Sequence, residues 1–392
     1  METQRQHSHS GRRFAAIAAL AVLLGTLAGS ATATRVAATA CSPSTSILKS
    51  PRAGSKEVQA KALNDRGDVV GFSDGADGTY RAILWKGGKV AGAVDLGVLP
   101  GYVSSEAYGV NNDRVVFGLL YDKKERTFPF RWASGRMTVL RDPNGRIRQA
   151  AVPDRNAINE RGEMAGTLLV AGNRRAVRWT RNGRATFLPG LPRHAWTNVW
   201  SINRNGIGSG WSRKLPSDDG ENNPVLWDAS GKVVALTTAP GRADGAAEAT
   251  NRSGLTVGYL GTFRTDGGPE SDQAAVWRTR SAEPQLMGPT RPSALAELVD
   301  VNDRGQAAGM SGTLTQNGFT LAKPAIWQTG WGRLRSIPVP AVSRRANRVV
   351  IANLNDINAR GNIVGNVYGL AAKDFGALRR IDPVLWICAF GR

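Results

Sequence analysis

The chain carries one short box seven times: an Asn is followed three residues later by Gly, replaced once by Arg, and seven residues later by a second Gly. The boxes begin at Asn64, Asn111, Asn159, Asn203, Asn251, Asn302 and Asn358, so successive units span 47, 48, 44, 48, 51 and 56 residues. One Trp follows each box: Trp85, Trp132, Trp179, Trp227, Trp277, Trp327 and Trp386. Periods of about 40 to 50 residues are typical of propeller blades, and one such unit cannot bury its apolar face alone. The sequence therefore predicts a single repeat domain.

The first and second units each contain four short β-rich runs separated by turn residues. In the second unit these runs are 107–110, 115–119, 128–132 and 137–140. No segment of ten or more residues beyond the N-terminal region shows helical periodicity, which favours an all-β protein. We therefore predict a seven-bladed β-propeller with four-stranded blades.

The seventh unit stops soon after Trp386 and lacks a fourth run. An unassigned β-like run at 44–48 is predicted to complete the last blade, so that the N-terminal segment closes the ring and leaves no open sheet edge. Cys41 would then lie beside Cys388, and we predict a disulfide that contributes roughly 4 to 5 kcal/mol in the chain-entropy model. The predicted boundaries are 1–33 for a signal peptide, 34–56 for the closing segment and 57–392 for the propeller.

The box is explained mechanically as a turn. Its Asn accepts a hydrogen bond from the backbone two residues on, and the first Gly takes the left-handed position that closes a bulged hairpin. At Arg114, either the residue accepts a positive φ at a cost of roughly 1 kcal/mol or the turn shifts by one. The second Gly indicates a bulge or a close backbone approach. The repeated Trp is predicted to fill the space between blades.

The N-terminus has the pattern of an export signal. Arg12 and Arg13 precede an apolar run from Phe14 to Leu27, and cleavage is expected after Ala33 or after Ala40. No later stretch is apolar enough to cross a bilayer. We therefore expect a secreted protein, extracellular or associated with the cell surface, with lipidation of Cys41 as the less favoured alternative.

The repeat pattern from residue 57 to residue 388 resembles the extracellular HAF repeat family, named for a His-Ala-Phe triplet in its unit. The triplet position here reads Arg81-Ala82-Ile83 in the first unit and Ala274-Ala275-Val276 in the fifth, and the His is absent from every unit. The resemblance implies a secreted, β-propeller-like protein. It supplies no catalytic residue.

Composition argues against several classes of function. Lys and Arg number 51 against 31 Asp and Glu, a net charge of +20, which by itself indicates only solubility and non-specific attraction to anions, so nucleic acid is not the expected partner. His194 is the only His beyond the signal, which excludes histidine-rich metal sites, and no cofactor is expected. Carboxylates such as Glu221 and Glu270, or Tyr259, leave a glycoside hydrolase or lyase open as the alternative.

The candidate binding site lies in the fourth unit. Trp196, Trp200 and Trp211 have no counterpart in the other units, and Arg193, His194 and Lys214 lie on adjoining connections, near Asp218 and Asp219. Stacking by Trp196 and Trp200, with charge recognition by Arg193 and Lys214, would suit a glycan or an anionic envelope polymer. Local packing within an atypical blade is the structural alternative. We predict a monomeric, non-enzymatic protein that binds a glycan, an anionic polymer or another extracellular protein; a purely structural scaffold remains open.

Overall fold

The computed structural model describes residues 44–151, 157–214, 221–262, 271–289, 293–314, 320–339, 348–371 and 374–387. Within these ranges the fold is all-β, as predicted, with two short 3-10 helices. No helix in these ranges has the length and hydrophobicity needed to span a bilayer. The signal segment, Cys41 and Cys388 lie outside them, so export and the disulfide stay predictions.

The elements follow one another in short strands. In chain order the strands are β1 (Ser44–Ile47), β2 (Val58–Leu63), β3 (Val69–Ser73), β4 (Arg81–Trp85), β5 (Ala93–Asp95), β6 (Ser104–Val110), β7 (Val116–Tyr121), β8 (Thr127–Ala133), β9 (Arg136–Val139), β10 (Ala150–Ala151), β11 (Met164–Val170), β12 (Asn173–Trp179), β13 (Ala185–Phe187), β14 (Trp196–Ile202), β15 (Gly208–Arg213), β16 (Asn222–Trp227), β17 (Val233–Ala235), β18 (Asp244–Thr250), β19 (Thr256–Gly261), β20 (Asp272–Trp277), β21 (Gln285–Met287), β22 (Ala294–Val301), β23 (Gln306–Leu314), β24 (Thr320–Gln328), β25 (Arg335–Ser336), β26 (Arg348–Ile357), β27 (Ile363–Ala371) and β28 (Asp374–Ile387). The 3-10 helices are Lys86–Gly88 and Val90–Gly92.

Strands pair antiparallel, in chain order, within each sequence unit. The first four units form the four-stranded sheets β2 to β5, β6 to β9, β10 to β13 and β14 to β17. The fifth unit (β18 to β21) and the sixth (β22 to β25) are joined in one sheet by a single parallel pair, Asp272 with Leu295. The predicted four strands per unit are therefore present in these sheets.

The seventh unit takes its fourth strand from the other end of the chain. Strands β26, β27 and β28 pair in order, and β1 pairs antiparallel with β28 from Ser44 opposite Ile387 to Ile47 opposite Val384. Leu48 follows β1, is 1% exposed and packs in one cluster with Trp85 of the first unit. A strand is therefore present at 44–47, within the run predicted at 44–48, and it pairs with the last strand of the seventh unit.

The box forms the predicted turn in all seven units. The Asn Oδ1 accepts backbone N–H bonds from two and four residues on, at 2.9 to 3.1 Å. The first Gly has a φ between +70° and +88° in six units. Arg114 has a φ of +56°. The turn therefore does not shift in the second unit, and Arg114 itself adopts the left-handed conformation.

The second Gly of the box lies against a β-bulge, as predicted. In six units, the strand that leads into the box contains a bulge, where its pairing with the next strand shifts register. The bulged residue stands three positions before the box Asn; Lys61 and Trp200 are examples. The bulge turns a backbone carbonyl toward the second Gly, where a Cβ would stand only 1.9 to 2.2 Å from that oxygen. Any side chain there would clash, which explains why Gly recurs.

The repeated Trp residues pack in the core, as predicted, in every unit but the second. Six of the rings are at most 1% exposed, whereas Trp132 is half-buried. Four indoles donate Nε1–H to a carbonyl just after the last strand of the preceding unit, for example Trp179 to Arg141 O at 2.6 Å and Trp227 to Pro189 O at 2.7 Å. Each of these rings fills apolar space and keeps its one polar atom bonded, which is the usual requirement for a buried Trp.

Candidate functional site

The seven box asparagines form a closed circuit of hydrogen bonds. The Nδ2 of each Asn donates to the backbone O of the next box Asn at 2.9 to 3.1 Å, and Asn358 donates to Asn64 O. All seven side chains are 1% to 8% exposed. Since Oδ1 holds its own turn and Nδ2 holds the neighbouring turn, one residue type fixes both the shape of each box and its distance from the next.

A pocket opens at the centre of this circuit. It has a volume of about 120 Å³, and residues from the boxes of six units line it, with Val110 contributing from the remaining one. The lining also includes side chains from the residue after the Asn: Asp65, Glu160, Arg204, Arg252, Asp303 and Ala359. The pocket is therefore polar, with acidic and basic groups at its rim.

Side chains at this rim reach from unit to unit. Asp65 N donates to Asn112 Oδ1 at 3.0 Å, and Asn112 N donates to Glu160 Oε2 at 3.0 Å. Burial raises the pKa of Glu160, against the lowering effect of its hydrogen bond from Asn112 N. Arg204 of the fourth unit forms an ion pair with Asp65 of the first, three boxes away along the circuit. Its side chain therefore spans the mouth of the pocket.

Two carboxyl groups lie side by side in the pocket lining. Asp300 Oδ2 accepts from Ile357 N at 3.0 Å, and Asp356 Oδ2 accepts from Leu63 N at 2.8 Å. The two side chains also hydrogen-bond to each other. Burial first, and the charge of Asp300 second, raise the pKa of Asp356 well above its usual range. Each carboxyl group therefore links its own unit to the next, and the pair shares a proton.

The tryptophans predicted as a stacking platform are largely buried. Trp196 is 9% exposed and Trp211 is 4% exposed, and both pack in one cluster with Ala246. The guanidinium of Arg213 lies 5.9 Å from the ring centre of Trp196 and 5.0 Å from that of Trp211. These contacts favour the packing interpretation for the two rings, because little of either face is open to a ligand.

The polar residues predicted around them are closer to solvent. Arg193 is exposed and has a φ of +67°, and Lys214, which directly follows β15, is also exposed. His194 Nδ1 lies 2.9 Å from Ser212 Oγ. Burial holds the pKa of His194 below its usual value, although the bond at Ser212 opposes this effect. The imidazole is therefore neutral at neutral pH, and its role as a ligand contact stays a prediction.

Trp200 differs from the other two tryptophans. It sits at the bulge of β14, it is half-buried, and its Nε1 has no hydrogen-bond partner among the described residues. On the same strand, Asn198 is 3% exposed, and its Nδ2 likewise has no partner within the described ranges. A buried donor without an acceptor costs about 1 to 3 kcal/mol. Two such donors, two residues apart, point to an acceptor supplied by water or by a ligand.

Of the groups considered for catalysis, the structure describes Tyr259 and Glu221. Burial, followed by the charges of Asp244, Asp272, Glu248 and Glu297, raises the pKa of Tyr259 well above its usual value, so the phenol stays protonated. Glu221 is exposed, while Glu270, Asp218 and Asp219 lie outside the described residues. Within the described ranges, no cluster of three or more His, Cys, Asp or Glu could hold a metal ion.

No protein-family model matches the chain, and no curated protein matches it in sequence. Among solved structures it is similar to an oligogalacturonate lyase from Vibrio parahaemolyticus, at a TM-score of 0.50 and 10% identity, over 88% of this chain and 96% of that one. Another similar structure is the β-propeller domain of the Trilobed protease from Pyrococcus furiosus, with a TM-score of 0.49 and 9% identity, over 85% of this chain and 95% of that domain. At such identities the likeness is one of fold alone.

The sequence pattern predicts that the boxes are turns but does not reveal the pocket that they surround. One available signal was the charged residue that follows the Asn in five of the seven boxes. Another was an Asp two residues before the Asn in the sixth and seventh units only, at Asp300 and Asp356. A hairpin turn requires neither a charged residue after the Asn nor an Asp before it, so both patterns indicate contacts between units.

Proposed function

We propose that the chain is a closed seven-bladed β-propeller, exported as a monomer, that binds a glycan at the cell surface or outside the cell without catalysing a reaction. The hydrogen-bond circuit of the seven box asparagines supports closure. So does the pairing of β1 with β28. Cys41 is three residues before the first described pair and Cys388 is one residue after it, which is compatible with the proposed disulfide. Membership of the HAF repeat family is part of the same proposal.

The observation that carries glycan binding is the pair of buried donors on β14, Asn198 Nδ2 and Trp200 Nε1. Sugar hydroxyl and carboxylate oxygens are acceptors that would satisfy both, and the half-buried Trp200 ring offers an apolar face of the kind on which a sugar stacks. Arg193 and Lys214 supply positive charge in the same unit. The proposed ligand is therefore a glycan with oxygen acceptors, neutral or anionic.

We propose binding and not hydrolysis because the two carboxyl groups in the pocket lie too close together for a glycosidase. Glycosidases place their two carboxyl groups about 5 to 10 Å apart, on opposite sides of the scissile bond. Asp300 and Asp356 hydrogen-bond directly to each other, and each also holds a backbone N–H of the next unit. No substrate fits between them, and their hydrogen bonds already have a structural use.

The test is a glycan-array screen of the mature chain at low and moderate salt, followed by affinity measurements on Trp200→Phe. This variant keeps an aromatic ring but removes the Nε1 donor, so affinity for the captured glycan should fall about five- to tenfold. Trp132→Phe is the matched control, since Trp132 is also half-buried but lies in the second unit, and its affinity should not change. Unchanged binding by Trp200→Phe would remove this site, and release of new reducing ends from a bound glycan would favour the enzyme alternative.

A further inference from the structure

Every box contains an arginine. Arg66, Arg161, Arg304 and Arg360 stand two residues after the box Asn, Arg204 and Arg252 stand one residue after it, and Arg114 replaces the first Gly. A hairpin turn of this type requires Asn and Gly but has no requirement for a cation. The repetition of arginine therefore needs an explanation other than the turn.

The asparagine circuit brings these arginines together on one face. Because each box is bonded directly to the next, the seven arginines lie on the face on which the central pocket opens, and Arg204 and Arg252 line that pocket. The turns after the repeated Trp lie at the same end of the sheets: Gly87 N, for example, donates to Asp68 Oδ1 at the first box. These turns add exposed cations at Lys86, Lys89, Arg278, Arg280 and Arg333.

The seven arginines are not equivalent, because carboxylates neutralise those on one side only. Arg114 pairs with Asp68 at 2.9 Å, Arg161 pairs with Glu163 at 2.6 Å, and Arg204 pairs with Asp65. These three belong to the second, third and fourth units. Their charges are already matched within the protein.

The other four form an arginine arc, defined as Arg252, Arg304, Arg360 and Arg66. All four are exposed, and none has an ion pair with a carboxylate in the described residues. They belong to the fifth, sixth, seventh and first units, whose boxes are consecutive along the circuit. Four unmatched cations held side by side repel one another, and a partner with several negative charges would relieve that repulsion.

We infer that the arginine arc is a docking surface for a polysaccharide that carries oxyanions, either carboxylate or phosphate, on successive sugars. The planar guanidinium matches both oxyanions with two parallel hydrogen bonds. Single-stranded nucleic acid usually also needs aromatic rings for its bases, and no Phe, Tyr or Trp whose side chain the structure describes is exposed. This surface is separate from the β14 site and would act whether or not that site binds a glycan.

The experiment compares two triple variants of the mature chain that lose the same charge from the same face. The arc variant is Arg66→Ala, Arg304→Ala and Arg360→Ala. The matched control is Arg136→Ala, Arg184→Ala and Lys232→Ala, which are exposed residues of the turns after the Trp in the second, third and fourth units. The probes are alginate for carboxylate, phosphomannan for phosphate, oligothymidylate of matched charge, and dextran as the neutral polymer.

At low salt, we expect the affinity of the arc variant for at least one of the two anionic polysaccharides to be about tenfold or more below that of the wild type. Its affinity should also depend less steeply on salt. The control should stay within about threefold of the wild type. Lysine at the three arc positions should restore part of the affinity, because charge returns without the two-pronged geometry. The comparison of alginate with phosphomannan then decides which oxyanion is preferred.

Three results would overturn the inference. Equal losses in the two triple variants would mean that net charge, and not the arc, attracts the polymer. Tighter binding of oligothymidylate than of both anionic polymers would make nucleic acid the partner. Failure of the wild type to bind any polyanion would remove the surface altogether. Trp200→Phe should leave polyanion binding intact, so failure of the β14 glycan site and failure of the arc are distinguishable.

Discussion

The asparagine circuit can be tested at Asn251, where every bond of the side chain is defined. Its Oδ1 accepts from Ser253 N at 3.0 Å, Ser253 Oγ at 2.8 Å and Leu255 N at 3.0 Å, and its Nδ2 donates to Asn302 O at 3.0 Å. The side chain is 3% exposed. Asn251→Ala removes all four bonds. If each bond contributes about 1 kcal/mol, the free energy of unfolding would fall by about 4 kcal/mol. Because water solvates the exposed Ser253 hydroxyl in the variant, we expect a fall of about 3 kcal/mol.

A second variant separates the turn from the circuit. Asn251→Asp keeps the acceptors for the box but loses the Nδ2 donor, and at neutral pH it places a carboxylate against Asn302 O. A protonated Asp can donate to that carbonyl, so Asn251→Asp should approach wild-type stability as the pH falls toward about 4. Asn251→Ala has no titrating group and should stay destabilised at every pH. At low pH the difference between the two variants therefore includes the bond to Asn302 O as well as the box bonds, and the stability that Asn251→Asp loses between low and neutral pH reports on the position facing Asn302 O.

The assay is urea unfolding, followed by the fluorescence of the 11 tryptophans and by far-UV circular dichroism. Asn182→Ala is the control, since Asn182 lies exposed in the turn after Trp179, and such changes usually stay within about 0.5 kcal/mol. A loss for Asn251→Ala no larger than that of the control would refute the view that the circuit stabilises the domain.

Two other perturbations address the pocket and the bulge. The raised pKa of Asp356 means that the folded chain keeps a proton that the unfolded chain releases above about pH 4. Its contribution to stability is thus complete below that pH and is lost as the pH rises through the folded pKa. Asp356→Asn has no proton to lose, so its free energy of unfolding should fall less than that of the wild type between about pH 5 and pH 9 in urea titrations, and parallel curves would contradict the shared proton. Gly210→Ala would place a Cβ 2.0 Å from Asn198 O, whereas the nearest neighbour for Gly208→Ala on the same strand is 3.4 Å away. Gly210→Ala should lower the free energy of unfolding by about 3 kcal/mol or more, and Gly208→Ala should lower it by less than about 1 kcal/mol. Similar losses for the two variants would show that the bulge imposes no constraint.

The sequence was sufficient for features that depend on neighbours along the chain. The Asn-to-backbone bonds and the left-handed Gly each act within one unit, so their spacing in the sequence reveals them. The Trp recurs once per unit at a fixed place, and this repetition alone was enough to predict that it is buried. The role of Asn Nδ2 was not predictable in this way, because its partner is the carbonyl of another box 44 to 56 residues away, or 294 residues away for Asn358. Periodicity shows that the boxes are alike and does not show that they touch.

The binding residues proposed for the fourth unit illustrate the same limit. Unrepeated aromatic residues marked Trp196, Trp200 and Trp211 equally, yet two of the rings are buried in packing and only Trp200 has a buried donor without a partner in the described residues. The bulge of β14 distinguishes Trp200, since it falls three residues before the box Asn, where the backbone shifts register. This distinction depends on backbone geometry that residue types alone do not encode.

The contact between the seventh and first units shows how polar bonds replace apolar packing where specificity matters. The residue after the second Gly of the box is apolar or aromatic in five of the other six units, but it is Asn366 in the seventh. Its side chain accepts from Ala60 N at 2.9 Å and donates to Ala60 O at 3.1 Å, and Asp356 accepts from Leu63 N at 2.8 Å. Other neighbouring units follow one another directly in the chain, whereas these two must meet from segments about 300 residues apart. Apolar contacts tolerate a slipped register, but paired hydrogen bonds to one backbone position do not. The polar substitutions at this contact are therefore what a chain needs in order to join its ends in a single register.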